Sequence, residues 1–408
     1  MYLNPLNIYI SMNTTTHPLC IIATNATDKI KTKLHNTTVS YKIWNYDKNY
    51  ICFNEKREIL NCRSVIFSHP ENKILSCCPG KTISKNTFCE KYNYNENMYV
   101  NEYIDGSLIH LFYDERISSW EIATKSAIGG NYYPPEKNKI TSFHDMFINA
   151  LMRNNKEDKK TLSDCEMLND FPKQYCYIFN LLHPDNIFVY PVLQPMLYLT
   201  AIYEVHNENN HIYSISPLIY EKWICFQNTT ILFPNSKKIK SWKELTIYNA
   251  LCENAENTAG YMVYDNKTGE RASFINHSYK ELLELRKMDS EFMLHYLCLR
   301  RIDLINNFVT IFPEFRKTFF QFREYIHKYI SKIHQAYLTK YVWVGCRNFE
   351  IPYKYDKYIS AIHREIYIPS LKTGKKKITN KIVHDYIMKK PPGEILYMLY
   401  HEKRTILR

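Results

Sequence analysis

Residues 102–126 read EYIDGSLIHLFYDERISSWEIATKS, and apolar and aromatic residues dominate two runs within them. The runs Ser107–Tyr113 and Trp120–Ala123 have the composition of half-buried β-strands. Asp105-Gly106, just before the first run, is a pair typical of tight turns. The stretch therefore predicts a turn followed by neighbouring strands.

Working outward, similar strand-like runs fill Tyr41–Lys91 and Tyr175–Val205. Between them, Phe143–Arg153 has the spacing of a helix, with one apolar face formed by Phe143, Met146, Phe147 and Ala150. Strands grouped in this way favour antiparallel sheets over regular βαβ repeats. We therefore predict an α+β fold for the body of the chain.

The apolar spacing becomes helical from about Tyr279 to Gly345. Residues 301–408 contain 21 Lys and Arg against 9 Asp and Glu, which accounts for the whole net charge of +12. A short basic loop, Lys372–Lys381, follows the helical stretch. The pattern predicts a basic, mainly helical C-terminal region, which is either a polyanion-binding appendage or a solvated face without a partner.

The 12 cysteines are scattered from Cys20 to Cys346 without a CxxC pair. This distribution favours reduced thiols in a cytosolic setting over a disulfide framework. No basic segment followed by an apolar stretch opens the chain, and prolines interrupt the most apolar long stretch, residues 187–203. The sequence therefore predicts a cytoplasmic protein with neither a secretory signal nor a membrane partner.

Five segments, taken in order, resemble the nucleotidyltransferase motifs of phage-type RNA ligases and of the RNA-ligase-like proteins of large DNA viruses. They are Cys62–Phe67, Pro79–Lys81, Glu102–Ser107 with Trp120–Ser126, Phe179–Asn186 and Ala259–Val263. The resemblance covers roughly residues 40–285. It implies a ligase-type nucleotidyltransferase fold with antiparallel sheets, preceded by an extension at 1–40 and followed by a basic helical domain at 286–408.

In active members of such a family, a lysine attacks the α-phosphate of ATP, and AMP then passes to a 5′-phosphate end of RNA. The resemblance thus implies ATP and Mg²⁺ as cofactors if the chain is active, with fixed cations stabilising the phosphoryl oxygens. The positions that match the phosphate-binding and nucleotide-binding motifs are Arg63, Lys81, Asp105, Gly106, Lys125, Asn180 and Gly260.

Several positions depart from the family pattern. Tyr103 replaces the nucleophilic lysine, and Asn180 and Ala259 replace the glutamates of the third and fourth motifs. In the last motif, Ser273 and Ile275 align with a Lys-x-Lys pair. The residues that perform lysine adenylylation are therefore the ones that differ, whereas the cationic positions remain.

Three hypotheses follow. The chain is a ligase-like protein that binds a nucleotide or RNA end without covalent catalysis, with RNA contacts at Lys372, Lys375, Lys376 and Lys377. Alternatively, a relocated nucleophile such as Lys125, Lys81 or Tyr103 retains ligase or capping-type activity, although a phenol with a pKa near 10 is a poor nucleophile at pH 7. As a third possibility, the protein is structural and side chains fill its pocket.

Overall fold

The computed structural model describes residues 20–21, 28–51, 55–95, 98–133, 141–153, 161–207, 211–251, 259–286, 292–343, 353–372, 374 and 377–406. The chain divides into two compact units, Met1–Leu283 and Glu284–Arg408. No helix in the described part of the chain is long and apolar enough to span a bilayer.

The strands all belong to the first unit. They are β1 (Cys20–Ile21), β2 (Ile30–Asn36), β3 (Ser40–Tyr46), β4 (Arg63–His69), β5 (Ile74–Ser76), β6 (Met98–Glu102), β7 (Ser107–Asp114), β8 (Ser119–Thr124), β9 (Ala127–Ile128), β10 (Tyr175–Leu182), β11 (Met196–His206), β12 (His211–Ile215), β13 (Ile231–Leu232), β14 (Ser236–Lys237), β15 (Gly260–Asp265) and β16 (Arg271–Ile275).

These strands form three sheets. The large sheet has the order β1-β12-β11-β10-β7-β8-β9, with β13 added beside β11, and the smaller sheets have the orders β2-β3-β4-β5 and β14-β6-β15-β16. Apart from the β11–β13 pair, the strand pairs of these sheets are antiparallel. The predicted α+β class with antiparallel sheets is therefore confirmed.

The α-helices follow in chain order. They are α1 (Arg57–Asn61), α2 (Lys85–Lys91), α3 (Phe143–Leu151), α4 (Pro217–Tyr220), α5 (Trp242–Leu251), α6 (His277–Arg286), α7 (Phe292–Arg301), α8 (Ile305–Ile311), α9 (Arg316–Tyr341), α10 (Tyr353–Ile362), α11 (Ile368–Ser370), α12 (Asn380–Met388) and α13 (Pro392–Ile406). One π-helical turn, His363–Tyr367, separates α10 from α11.

The central strands of the large sheet are buried on both faces. Along β7, Ile109 and Leu111 join the core that contains α3, whereas Leu108 and Phe112 join the core shared with the β2–β5 sheet. Because side chains alternate along a strand, such a strand needs apolar residues at nearly every position. This requirement explains the nearly continuous apolar run in the sequence.

The third sheet has its own core, formed by β6, β15 and β16 with α2 and α5. The chain crosses from this sheet to the large sheet between β6 and β7, through residues 103–106. Asp105-Gly106 lies in this crossing as a bend and does not form the predicted tight turn, because the strands on its two sides belong to different sheets. Residues 103–106 therefore lie at a junction between two separately packed cores.

Several local predictions are confirmed. The helix predicted at Phe143–Arg153 is α3, and its apolar face is buried or half-buried against the large sheet. The predicted helical C-terminal region is also present. In α9 the apolar stripe forms the buried face, at Phe319, Ile326, Tyr329, Ile330, Ile333 and Tyr337.

The predicted boundary at residue 40 falls inside a β-hairpin. Strand β2 lies within the predicted N-terminal extension, and it pairs with β3 from Ile30 opposite Tyr46 to Asn36 opposite Ser40. Residues 30–36 are thus part of the sheet that carries Arg63. The pairing was not foreseen because β2 alternates lysine and threonine with few apolar residues.

We expect Gly260→Ala to destabilise the first unit by about 3 kcal/mol. At Gly260 the backbone has φ 137°, and an added Cβ would lie 2.2 Å from the carbonyl oxygen of Phe274. Urea unfolding followed by tryptophan fluorescence measures the loss. The control is Gly393→Ala, where the added Cβ meets no atom within 4 Å beyond its chain neighbours and its own helix backbone. Equal midpoints for the two variants would contradict the expectation.

Candidate functional site

The loop after β6 is fixed through its backbone. The Tyr103 N–H donates to the Gly260 carbonyl over 2.9 Å. Asn180 Nδ2 donates to the Ile104 carbonyl over 2.6 Å. Asn180 was predicted to contact a nucleotide, and the structure places its amide on this loop. Both contacts hold the position of the family's nucleophile rigidly between β10 and β15.

Gly106 and Asp105 continue the loop. At Gly106 the chain runs so close to β10 that an added Cβ would lie 2.8 Å from the Leu181 carbonyl oxygen. The Asp105 carboxylate accepts a hydrogen bond from the Tyr279 hydroxyl. Burial and the charge of Asp105 raise the pKa of Tyr279, so this phenol remains a donor. The loop is thus held against β10 at Gly106, and the Asp105 carboxylate is held by Tyr279.

Tyr103 is a poor nucleophile in this setting. Its ring is half-buried. Burial is the main cause that raises the pKa of Tyr103 to about 12, and the charge of Asp105 acts in the same direction. The cations Arg271 and Arg63 oppose that rise without cancelling it. The hydroxyl is therefore protonated at neutral pH, and phenolate attack on a phosphate is disfavoured.

Arg63 opens β4 beside this loop. Its Nη1 donates to the Pro79 carbonyl over 3.1 Å, and the neighbouring Cys78 and Tyr46 help to raise the pKa of the guanidinium. The next residue, Ser64, has a positive φ of 53°, which favours glycine. The resembled motif has Gly at that position, and here the Ser64 N–H donates to Asn45 Oδ1 over 3.0 Å.

A second arginine, Arg271, was missed in the sequence. Its Nη2 donates to the carbonyls of Pro79 (3.3 Å) and Gly80 (3.0 Å). Arg271 begins β16, and side chains two and four residues apart on a strand share a face. It therefore shares the face of Ser273 and Ile275, where a lysine pair was expected. A shift of the motif by two residues would have found this cation.

Lys125 follows β8 and lies near Arg63. Its Nζ lies 6.0 Å from the centre of the Tyr46 ring, and its carbonyl accepts from Asn45 Nδ2 over 3.1 Å. Burial first, and then the charges of Arg63 and Lys48, lower the pKa of the Lys125 amine. Asn45 thus links this turn to β4, and the two cations are held as neighbours.

Lys81 lies in the loop whose carbonyls accept from the arginines. Its N–H donates to the Leu60 carbonyl over 3.1 Å, and its carbonyl accepts from Arg57 Nη1 over 3.1 Å. The side chain is half-buried. The structure therefore brings Arg63, Lys125, Tyr103 and Asp105 into one electrostatically connected group, and it places the Lys81 backbone next to that group.

The site contains few carboxylates. The positions of the two family glutamates hold Asn180 and the buried Ala259. Among the described residues, no group of three or more His, Cys, Asp or Glu could hold a metal ion. Divalent ions such as Mg²⁺ are bound through oxygen ligands, commonly carboxylates. The cations of the site are groups that can contact phosphate oxygens, and a Mg²⁺ ion there would depend on phosphate and water oxygens besides any protein carboxylate.

A buried polar group beneath Arg63 was also missed. His110 is fully buried, and its Nε2 and Nδ1 lie 3.0 Å and 2.8 Å from the hydroxyls of Ser64 and Ser76. Burial, assisted by the charge of Arg63, lowers the pKa of His110 to about 3, so the ring is neutral. The group fixes the start of β4 from below. A polar residue in an otherwise apolar run was its only signal.

In the second unit, the predicted RNA-binding residues Lys372 and Lys377 have exposed side chains. Lys375 and Lys376 lie outside the described residues. The structure therefore places two of the four predicted contacts at the surface before α12.

Comparisons with known proteins gave one match in sequence and several in structure. No family model matches the chain. An RNA ligase of Rhodothermus phage RM378 is 30% identical over 110 residues, which cover 27% of this chain and 24% of the phage protein. Two forms of an archaeal ATP-dependent RNA ligase align over 63% and 66% of this chain and 60% and 63% of theirs, at 11% and 12% identity with TM-scores of 0.40 and 0.41.

The chain thus matches about a quarter of the length of the curated phage relative. The fold class defined above is a mixed helix and sheet body with a helical C-terminal region. The phage match confirms the resemblance of this chain to RNA-ligase-like nucleotidyltransferases.

We expect the Lys125 amine to become reactive at a lower pH than free lysine. Its lowered pKa means that it loses its proton earlier as the pH rises. Competitive acetylation across a pH series, read by mass spectrometry, gives the midpoint, with a blocked lysine derivative as internal standard near pH 10.4.

The matched variant for this measurement is Lys48→Gln, which removes one of the charges that lower the pKa of Lys125. It should move the midpoint back towards the standard. A wild-type midpoint at or above that of the standard would refute the lowered pKa.

Proposed function

We propose that this chain is an RNA-ligase-like protein that binds the phosphate groups of a nucleotide or an RNA 5′ end, without adenylylation at the motif position. The observation that carries the proposal is the convergence of Arg63 and Arg271 on the Pro79 carbonyl, with Tyr103 near both arginines and Lys125 near Arg63. The phage RNA ligase match supports RNA and nucleotide as the ligand classes.

The chemistry of these cations suits a phosphate. The guanidinium of an arginine has five N–H donors in a planar arrangement, and the carbonyls of Pro79 and Gly80 use only some of those of Arg63 and Arg271. Other donors of these arginines and the Lys125 amine can contact oxygen atoms of the ligand. Because these side chains are partly buried, their attraction for an anion is screened less than that of surface lysines.

Position 103 lacks the lysine that adenylylation at the motif would need. A lysine nucleophile forms a phosphoramidate with AMP and releases pyrophosphate, which requires a neutral amine in line with the leaving group. At position 103 the group is a protonated phenol. The chain therefore keeps charge stabilisation for phosphoryl oxygens and lacks the nucleophile that would use it.

With α-labelled ATP and Mg²⁺ or Mn²⁺, we expect no labelled protein to survive denaturing gel electrophoresis. The physical reason is the raised pKa of Tyr103. An active RNA ligase run in parallel serves as the positive control. A stable labelled adduct on this chain would refute the non-covalent form of the proposal.

We expect Lys125→Gln to weaken ATP binding about tenfold, because a charge-assisted hydrogen bond contributes about 1.5 kcal/mol. Isothermal titration calorimetry measures the affinity. Lys73→Gln removes an exposed lysine from the same unit and is the matched control. If neither ATP nor 5′-phosphorylated RNA shifts the thermal midpoint of the wild type, the protein is instead a structural one with a filled pocket.

A second candidate function rests on one observation, the lowered pKa of the Lys125 amine beside Arg63. A desolvated lysine next to another cation is the setting in which amines act as nucleophiles. In that case Lys125 would accept the AMP and the protein would be an active ligase or capping-type enzyme. The labelled adduct would then form, would vanish in Lys125→Ala, and would persist in Tyr103→Phe.

A further inference from the structure

Helix α9 in the second unit carries an open groove of about 420 Å³ along one side. We call it the α9 groove. It is lined by side chains from three successive turns of the helix: Tyr325, His327, Lys328, Tyr329, Ser331, Lys332 and Gln335. None of these described lining residues is an Asp or a Glu and two of them are lysines, so the groove carries positive charge on a largely apolar lining.

Neighbouring segments contact α9 beside the groove. Asn380 Nδ2 at the start of α12 donates to Ser331 Oγ over 3.2 Å, and His334 Nε2 lies 3.1 Å from the Ile378 carbonyl. The Tyr325 hydroxyl donates to the Leu399 carbonyl of α13 over 3.2 Å. The floor of the groove is therefore a single helix, which α12 and α13 each contact.

The charges of the floor are arranged for an extended anion. Lys328 and Lys332 are exposed and one helical turn apart, a spacing that puts their Cβ atoms about 5–6 Å from each other. The exposed His327 and Gln335 and the half-buried Ser331 add hydrogen-bonding groups beside them. Two cations in a row with neutral donors between them can contact successive phosphates of one strand.

The basic loop predicted from the sequence adjoins this groove. Lys377 is exposed and lies next to Ile378, whose carbonyl contacts His334 of α9. Lys381, in the first turn of α12, is also exposed. The loop and the helix, which are about 40 residues apart in the sequence, thus supply cations to the same edge of the unit.

We propose that the α9 groove binds the sugar-phosphate backbone of single-stranded RNA, with Lys328 and Lys332 as the central contacts. This inference rests on the proposed function, because RNA is the ligand class that function implies. It moves the main RNA contact from the loop lysines to the helix, where the cations are held on a rigid support and bind with a smaller loss of conformational freedom.

The test uses the full chain and a fluorescent RNA of about 15 nucleotides, unstructured and with a 5′-hydroxyl, in anisotropy titrations across a salt series. We expect Lys328→Gln with Lys332→Gln to weaken binding about tenfold and to reduce the salt slope by about 1.4, the value for two lost phosphate contacts on a single strand. The control combines Lys357→Gln with Lys389→Gln, which removes the same charge from exposed positions outside the groove. It should change the RNA affinity and the salt slope far less.

Equal losses in the two double variants, or an unchanged salt slope in the groove variant, would overturn the inference. A parallel titration with 5′-phosphorylated RNA separates it from the proposed function. If the wild type prefers the 5′-phosphate but the groove variant behaves like its control, only the groove inference fails. If the groove variant loses affinity and the wild type shows no 5′-phosphate preference, the groove inference holds and RNA-end recognition in the first unit fails.

Discussion

Two arginines from different sheets donate to one carbonyl oxygen, that of Pro79, and the arrangement of the site depends on this shared acceptor. Arg63 comes from the β2–β5 sheet and Arg271 from the sheet that contains β15. Two guanidinium groups would repel each other, but the dipoles of the Pro79 and Gly80 carbonyls offset that repulsion. The positive charge is thereby assembled before any ligand arrives, which is the condition for strong electrostatic binding at low reorganisation cost.

Asn180 and Tyr103 stand where the motif resemblance places a glutamate and a lysine, and Asn180 has a structural contact of its own. A glutamate at position 180 could only accept hydrogen bonds, whereas the amide of Asn180 donates to the Ile104 carbonyl. In this structure Asn180 therefore holds the loop that carries Tyr103. At position 103, where the resemblance places an amine, the chain has an aromatic ring. Neither residue carries a charge of the kind that the resembled motifs have at these positions.

Much of the secondary structure could be predicted from the sequence because the spacing of apolar residues and the distribution of charge are local properties of the chain. The strand at Ser107–Tyr113, the helix at Phe143 and the helical C-terminal region follow directly from apolar spacing. Contacts between residues that are far apart in the sequence cannot be read from such local patterns. Arg271 was missed because its motif was aligned two residues away. Strand β2 was missed because an edge strand with one exposed face carries little apolar signal.

The partition of charge between the two units has a consequence for how an RNA would be engaged. Exposed lysines of the second unit act through solvent, so their pull extends about a Debye length, roughly 8 Å at physiological ionic strength, and weakens as salt is added. The half-buried arginines of the first unit act at contact distance through a medium with fewer mobile ions. Binding of an RNA chain by the second unit and binding of its end by the first unit would therefore depend differently on salt concentration. As salt is added, the affinity of the second unit would fall first, and that of the first unit would be retained longer.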